Sequence, residues 1–190
     1  VQTFGERHSI GSQFHRQPVQ VDAERRAVAF DAMLSHIDQL PAASLVLLHA
    51  CCHNPTGADL SPDQWQELAA VIERRGLVPF VDLCHFGVPD WLGGFQNPEF
   101  PRHFAAYARA FAERYPWVRF YTPVNEIYVA ARNSGLDGRW NERLRTEQGF
   151  VTAIKHLVAA NLLAEAAIVR YRPDAIIVQS ESAEYTHHVS

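Results

Sequence analysis

Lysine is almost missing from these 190 residues: Lys155 is its sole occurrence among 17 lysines and arginines. Such a chain has one place from which an amine could hold a carbonyl compound as a Schiff base. Sulfur is scarce as well. Cys51, Cys52 and Cys84 make an odd count, and adjacent cysteines rarely bridge each other, so a disulfide framework is excluded and a reducing, cytoplasmic setting is expected. No apolar run approaches about 18 residues, and the N-terminus lacks a charged-then-apolar pattern, so neither a membrane partner nor export is expected. The net charge of −4, with no long run of Lys and Arg, argues against nucleic acid as a partner. Length is the last shortage. A complete (β/α)₈ barrel takes roughly 200–250 residues or more, above what is present here. One domain of this size still buries a substantial core, and 47% hydrophobic with 20% charged residues is ordinary globular composition.

What is present is a regular alternation. Ser44–Ala50 is a near-continuous apolar run, the mark of a strand buried on both faces. Ser61, Pro62 and Gln64 form a capping-box start for a helix whose Trp65, Leu68, Ala69 and Ile72 recur at helical spacing until Gly76. Leu77–Asp82 reads as the next strand, followed by a Gly/Pro-containing loop over Phe86–Phe100. Pro101 opens a helix with Phe104, Tyr107, Phe111 and Tyr115 on one face. Trp117–Thr122 reads as a strand, Asn133–Arg145 as a long loop, Thr146–Arg172 as a helix stopped by Pro173, and Ala175–Ser180 as a fourth strand. Asp22–Leu40 adds a helix with Phe30, Met33, Leu34 and Ile37 as its buried stripe. This order predicts an α/β fold: a parallel sheet of about four strands with βα repeats, resembling half a (β/α)₈ TIM barrel. Functional side chains are expected at the C-terminal strand ends.

Two motif sets meet on the Leu77–Asp82 strand. The stretch HACCHNPTGADLSPDQW followed by RRGLVPFVD, within residues 21–82, resembles a class I aspartate/aromatic aminotransferase of pyridoxal-phosphate fold-type I. The resemblance implies cofactor-binding roles for Asn54, toward the phenolic oxygen, and for Asp82, which pairs with the pyridinium nitrogen and keeps the ring an electron sink. It also implies a Schiff-base lysine, but Lys155 lies mid-helix, outside the family's Ser-rich lysine context. His85 stands where that family has Tyr, and the phosphate-binding Ser/Arg cluster and substrate-carboxylate Arg have no matching segment.

Residues 83–190, with LCHFGVPDWL and YTPVNE, are similar to the barrel of glycoside hydrolase family 1 β-glucosidases. That resemblance implies substrate-binding roles for His85 and Asn125 and a general acid/base role for Glu126. Ile127 and Phe86-Gly87-Val88 depart from the family pattern. A retaining glycosidase needs two carboxyl groups about 5–5.5 Å apart. The strand-seven Glu has no counterpart, so Glu181 at the end of the fourth strand is the candidate catalytic partner of Glu126.

The sequence thus divides into an unassigned leader over residues 1–20, an aminotransferase-like βα segment over 21–82, and a glycoside-hydrolase-like segment over 83–190. The hydrolase reading needs no cofactor and takes a small carbohydrate or glycoside, with weak or no activity from this chain. Pyridoxal phosphate belongs to the aminotransferase alternative, and a non-catalytic chimeric α/β module is the third. Cys51, Cys52, His53, Cys84 and His85 carry metal-ligating atoms, but the family patterns account for each and no CxxC spacing is present, so no metal site is expected. Open apolar sheet edges at Leu45–Ala50 and Ala175–Ser180 predict self-association.

Overall fold

A computed structural model describes residues 21–22, 27–51 and 57–182. Val21–Asp22 (β1) and Ala27–Val28 (β2) pair antiparallel. The remaining elements are α1 (Phe30–Asp38), β3 (Leu45–His49), α2 (Pro62–Arg75), β4 (Val78–Cys84), a 3₁₀ turn (Asp90–Leu92), α3 (Phe100–Arg114), β5 (Phe120–Val124), α4 (Ile127–Gly135), α5 (Glu147–Tyr171) and β6 (Ile176–Ile177). Strands β3 to β6 form one parallel sheet in chain order, the four-stranded α/β half-barrel expected from the alternation.

The punctuation works as local chemistry dictates. Ser61 Oγ accepts from the Gln64 amide at 3.2 Å while Gln64 Oε1 accepts from the Ser61 amide at 2.9 Å, which closes the capping box of α2. Such a cap contributes about 1 kcal/mol. Gly76 ends the helix at φ 61°, a left-handed conformation that glycine adopts without strain. Leu48, Leu68, Ile72, Val81 and Val118 are buried around one small void between sheet and helices. The aromatic face of α3 is a ladder, with the Phe111 and Tyr115 ring centroids 4.8 Å apart.

Several elements differ from expectation. The first helix covers Phe30–Asp38 only, because the chain before it forms the β1–β2 pair, with Val21 in register with Val28. β4 continues two residues past Asp82, so Asp82 lies inside the strand and Cys84 ends it. β5 begins three residues later than Trp117 and runs to Val124. The segment expected as a loop from Asn133 is helical through Gly135, the end of α4. The fourth strand is regular only over Ile176–Ile177; beyond it the Val178 amide still donates to the Tyr121 carbonyl at 2.8 Å, and the Thr122 hydroxyl donates to the Val178 carbonyl at 2.8 Å.

Helix α5 is long and apolar enough, by length and composition, to cross a membrane, with mean hydropathy 1.4 over its most apolar window. Lys155, His156, Asn161 and Glu165 interrupt it, so no continuous apolar run shows in the sequence. Its fully buried Ala153, Leu157, Ala160, Ala164 and Ile168 recur at helical spacing, the pattern of a core helix.

Among the described residues the sheet has two edges, β3 and β6, where Leu45, Ile176 and Val178 are 39%, 42% and 38% exposed. Exposed apolar edges favour association. Sedimentation at micromolar concentration is expected to show a dimer or larger species, and a monodisperse monomer would contradict this.

Candidate functional site

The register of the sheet builds the site. β3 and β4 pair with His49 directly across from Asp82. β4 and β5 pair with Cys84 across from Val124, so His85 and Asn125 leave their strands side by side. The Asn125 amide donates to the Cys84 carbonyl at 3.0 Å and carries the pairing past the strand ends.

At the β3–β4 end stands a buried carboxylate with two imidazoles. Asp82 Oδ2 lies 2.6 Å from His85 Nδ1, and the Asp82 side chain is 5% exposed. The His85 ring stacks on His49 with centroids 4.3 Å apart and planes 18° from parallel. Phe86 packs edge-on against His85, and Trp140 packs against Phe86. Asp82 Oδ1 is buried without a hydrogen-bond partner. Burial pushes the Asp82 carboxyl above the usual carboxylate range, against the opposing pull of the His85 hydrogen bond and charge and of the Cys84 amide. Chemically this is a desolvated carboxylate that orients one imidazole by a short hydrogen bond.

At the β5–β6 end both glutamates stand at the N-terminus of α4, in unequal states. Glu126 caps α4 from a left-handed conformation, φ 46° and ψ 61°, which costs a non-glycine residue about 1–2 kcal/mol. Its amide donates to the Ser180 carbonyl at 3.0 Å, and the Ser180 hydroxyl donates to Asn125 Oδ1 at 2.6 Å. Glu181 is fully occupied. Its Oε1 accepts from the Ile127 amide and from Gln179 Nε2, both at 2.9 Å, and its Oε2 accepts from the Tyr128 amide at 3.3 Å. Glu181 therefore supplies the helix cap that the Glu126 side chain does not.

Of the residues singled out in the sequence, the structure joins His85 to Asp82, and Asn125 and Glu126 to Ser180 and Glu181. Asn54 lies outside the described residues, as do Cys52 and His53. The sulfur atoms point to other partners: Cys51 Sγ to the Leu83 carbonyl at 3.5 Å and Cys84 Sγ to the Gly87 carbonyl at 3.6 Å. Both cysteines line a separate cavity of about 480 Å³ with Trp91, Phe100, Phe104 and Tyr107. His49 was missed as a site residue. The signal was available, since Leu45 and Val78 open parallel strands that reach His49 and Asp82 after the same number of residues.

Pyridoxal phosphate fits this arrangement poorly. One oxygen of the carboxylate that would face the ring nitrogen is already taken by His85. The only lysine, Lys155, is exposed on α5.

Comparison with known proteins divides along the same lines. The model of the family "Aminotransferase class I and II" matches residues 10–122, running past Asp82 and back into the segment that had no assignment. An aromatic-amino-acid aminotransferase of Paracoccus denitrificans is 38% identical over 122 residues, 64% of this chain and 26% of its own length. An aspartate aminotransferase of Haemophilus influenzae is 37% identical over 124 residues, 65% of this chain and 26% of its own. The chain thus spans about a quarter of the length of these relatives. Solved structures share the fold instead. A β-glucosidase from Thermotoga maritima, in complex with cyclophellitol, superposes with TM-score 0.69 at 21% identity, covering 82% of this chain and 38% of that one. The AHE enzyme from Alicyclobacillus herbarius gives TM-score 0.65 at 19% identity, covering 78% and 36%. The backbone is that of a β-glucosidase-like partial barrel, while by the sequence match over more than half its residues the chain belongs to the aminotransferase class I and II family.

Proposed function

We propose that this chain is an aminotransferase-family segment that does not transaminate, with Asp82 serving a pair of histidines in place of a pyridine ring. The observation that carries this reading is the 2.6 Å contact between Asp82 and His85. A carboxylate so engaged, and raised by burial, is a weak partner for a pyridinium nitrogen. Added pyridoxal phosphate is expected to give only the absorbance of random amine adducts. The comparison that decides is Asp82→Ala: a visible band present in the parent and lost in this variant would overturn the reading.

A second reading is favoured by the gathering of Asn125, Glu126 and Glu181 at the α4 N-terminus. In it, the rim acts on a small glycoside, with Glu126 as general acid, Asn125 and His85 as sugar contacts, and Glu181 as the second carboxylate. The capping role of Glu181 limits its use as a nucleophile, since three donors already hold its oxygens. Acid assistance alone contributes about 10²–10⁴-fold, far below full glycosidase catalysis. Hydrolysis of an activated aryl glycoside should stay near background and change little in Glu126→Gln. A robust turnover that falls more than about 10²-fold in that variant would establish a working carboxylate pair.

A further inference from the structure

We propose that His49, Asp82 and His85 form a binding site for a divalent transition-metal ion of the zinc class. The inference goes beyond the reading above: that reading says what Asp82 is not free to hold, and this one says what the cluster takes. Each of the three side chains offers one ligand atom, and these atoms all lie within 4.8 Å of one another. An ion at about 2.0–2.2 Å from each ligand needs them roughly 3–3.5 Å apart, which small side-chain rotations supply. The scaffold is suited to this. His49 and Asp82 are paired across rigid strands, and His85 follows two residues after Asp82's neighbour Leu83.

A second, independent observation points to a ligand. Asp82 Oδ1 has no hydrogen-bond partner although its side chain is 95% buried (5% exposed). A buried carboxylate oxygen left unpaired is costly, and groups of this kind in folded proteins pair with charges or coordinate metals. The His49 and His85 rings stack with centroids 4.3 Å apart, so the two imidazoles stand together beside that carboxylate. An ion bound here would take the place of the 2.6 Å hydrogen bond between Asp82 and His85.

The donor set selects the ion. Two imidazoles with one carboxylate suit zinc, cobalt, nickel or ferrous iron, whereas calcium and magnesium prefer all-oxygen shells. Three protein ligands leave an open coordination position, the pattern of sites that bind water or substrate and not of closed structural sites.

The test is titration of the full 190-residue chain with Co²⁺, followed by visible d–d absorption and by displacement with Zn²⁺, in the parent and in Asp82→Asn, His49→Gln and Cys84→Ser. The expected result is one saturable ion per chain, displaced by Zn²⁺. Affinity should fall by more than about 100-fold in Asp82→Asn and His49→Gln, beyond the loss seen for outer-shell partners, and should be unchanged in Cys84→Ser. Far-UV circular dichroism of Asp82→Asn, a nearly isosteric change, separates lost ligation from lost folding. Zn²⁺ should also raise the melting temperature of the parent and not of Asp82→Asn. Absence of a saturable Co²⁺ band in the parent overturns the proposal. So does a band of equal affinity in Asp82→Asn, which would place the ion on thiols or on exposed histidines. The pyridoxal-phosphate titration reads a different ligand at a different wavelength, so failure of either proposal is visible without the other.

Discussion

Gly135→Ala should lower the stability of this chain by about 3 kcal/mol, at the upper end of what overpacking costs. A Cβ built on Gly135 would lie 2.5 Å from the Phe150 backbone nitrogen and 2.6 Å from both the Gly149 carbonyl carbon and the Phe150 Cα. These are backbone atoms of α5, so no side-chain rotation relieves the clash. The C-terminus of α4 and the N-terminus of α5 must separate. Doing so breaks the hydrogen bond from the Thr146 amide to the Gly135 carbonyl, 3.0 Å, at the N-cap of α5. Gly93→Ala is the control: it meets nothing within 4 Å but sits at φ 73°, so only the left-handed conformation is strained, by about 1–2 kcal/mol. Thermal melts read both. For a chain of this length 3 kcal/mol is about 6–12 °C, and a Gly135→Ala melt within about 2 °C of the parent would show that the helices are not closely held.

The close approach of α4 and α5 marks where sequence reading stopped. Strands β3 and β4 and helix α2 were legible because their signals are local: an apolar run, a capping box at Ser61, a glycine at the left-handed stop. Helix α4 had no such signal. Its first residue follows Glu126, whose side chain makes no cap bond, and its free amides are satisfied by Glu181, more than fifty residues later in the chain. A local rule cannot see a cap supplied from so far along the chain. Helix α5 was legible by its length and by Pro173, but the roles of Gly135 and Gly149 depend on contact between helices.

The site divides the same way. Asp82 and His85 stood out because motifs of two families overlap on them, and the structure brings them within 2.6 Å. His49 became part of the site only through register, which brings residues 33 positions apart in the chain to the same level of the sheet. Glu181 was expected beside Glu126 from the spacing of adjacent strands, and it does reach the same helix end. Its donors, though, are backbone amides and Gln179, a structural use that strand spacing could not reveal. The two family resemblances also parted company. The aminotransferase match takes in residues 10–122, which hold β3 and β4, whereas the β-glucosidase-like backbone extends over 82% of the chain.

Asn161→Leu should cost about 2–3 kcal/mol and loosen the strand end that carries Asn125 and Glu126. Asn161 is 7% exposed on α5, and its Oδ1 accepts the Val124 amide at 3.1 Å while its Nδ2 donates to Glu165 at 2.6 Å. Gln179 Nε2 donates to the Val124 carbonyl at 3.0 Å, so both backbone groups of the last β5 residue are held by side chains from elsewhere. Leucine keeps the branching and heavy-atom count of asparagine, and its two methyl groups are bulkier than the amide, so no cavity is left. What it removes is the acceptor, and a buried amide left without one costs about 1–3 kcal/mol. Val124 is 1% exposed, which keeps water from replacing the lost acceptor. Glu165→Gln, which retains an acceptor for Asn161 Nδ2, should change stability by less than about 0.5 kcal/mol. Urea unfolding gives the energies, and amide hydrogen exchange locates the effect: protection at Val124 and Asn125 should fall in Asn161→Leu by more than at the β3–β4 pair. An Asn161→Leu variant as stable as Glu165→Gln, with unchanged exchange at Val124, would mean that the β5 end is held by its strand neighbours alone.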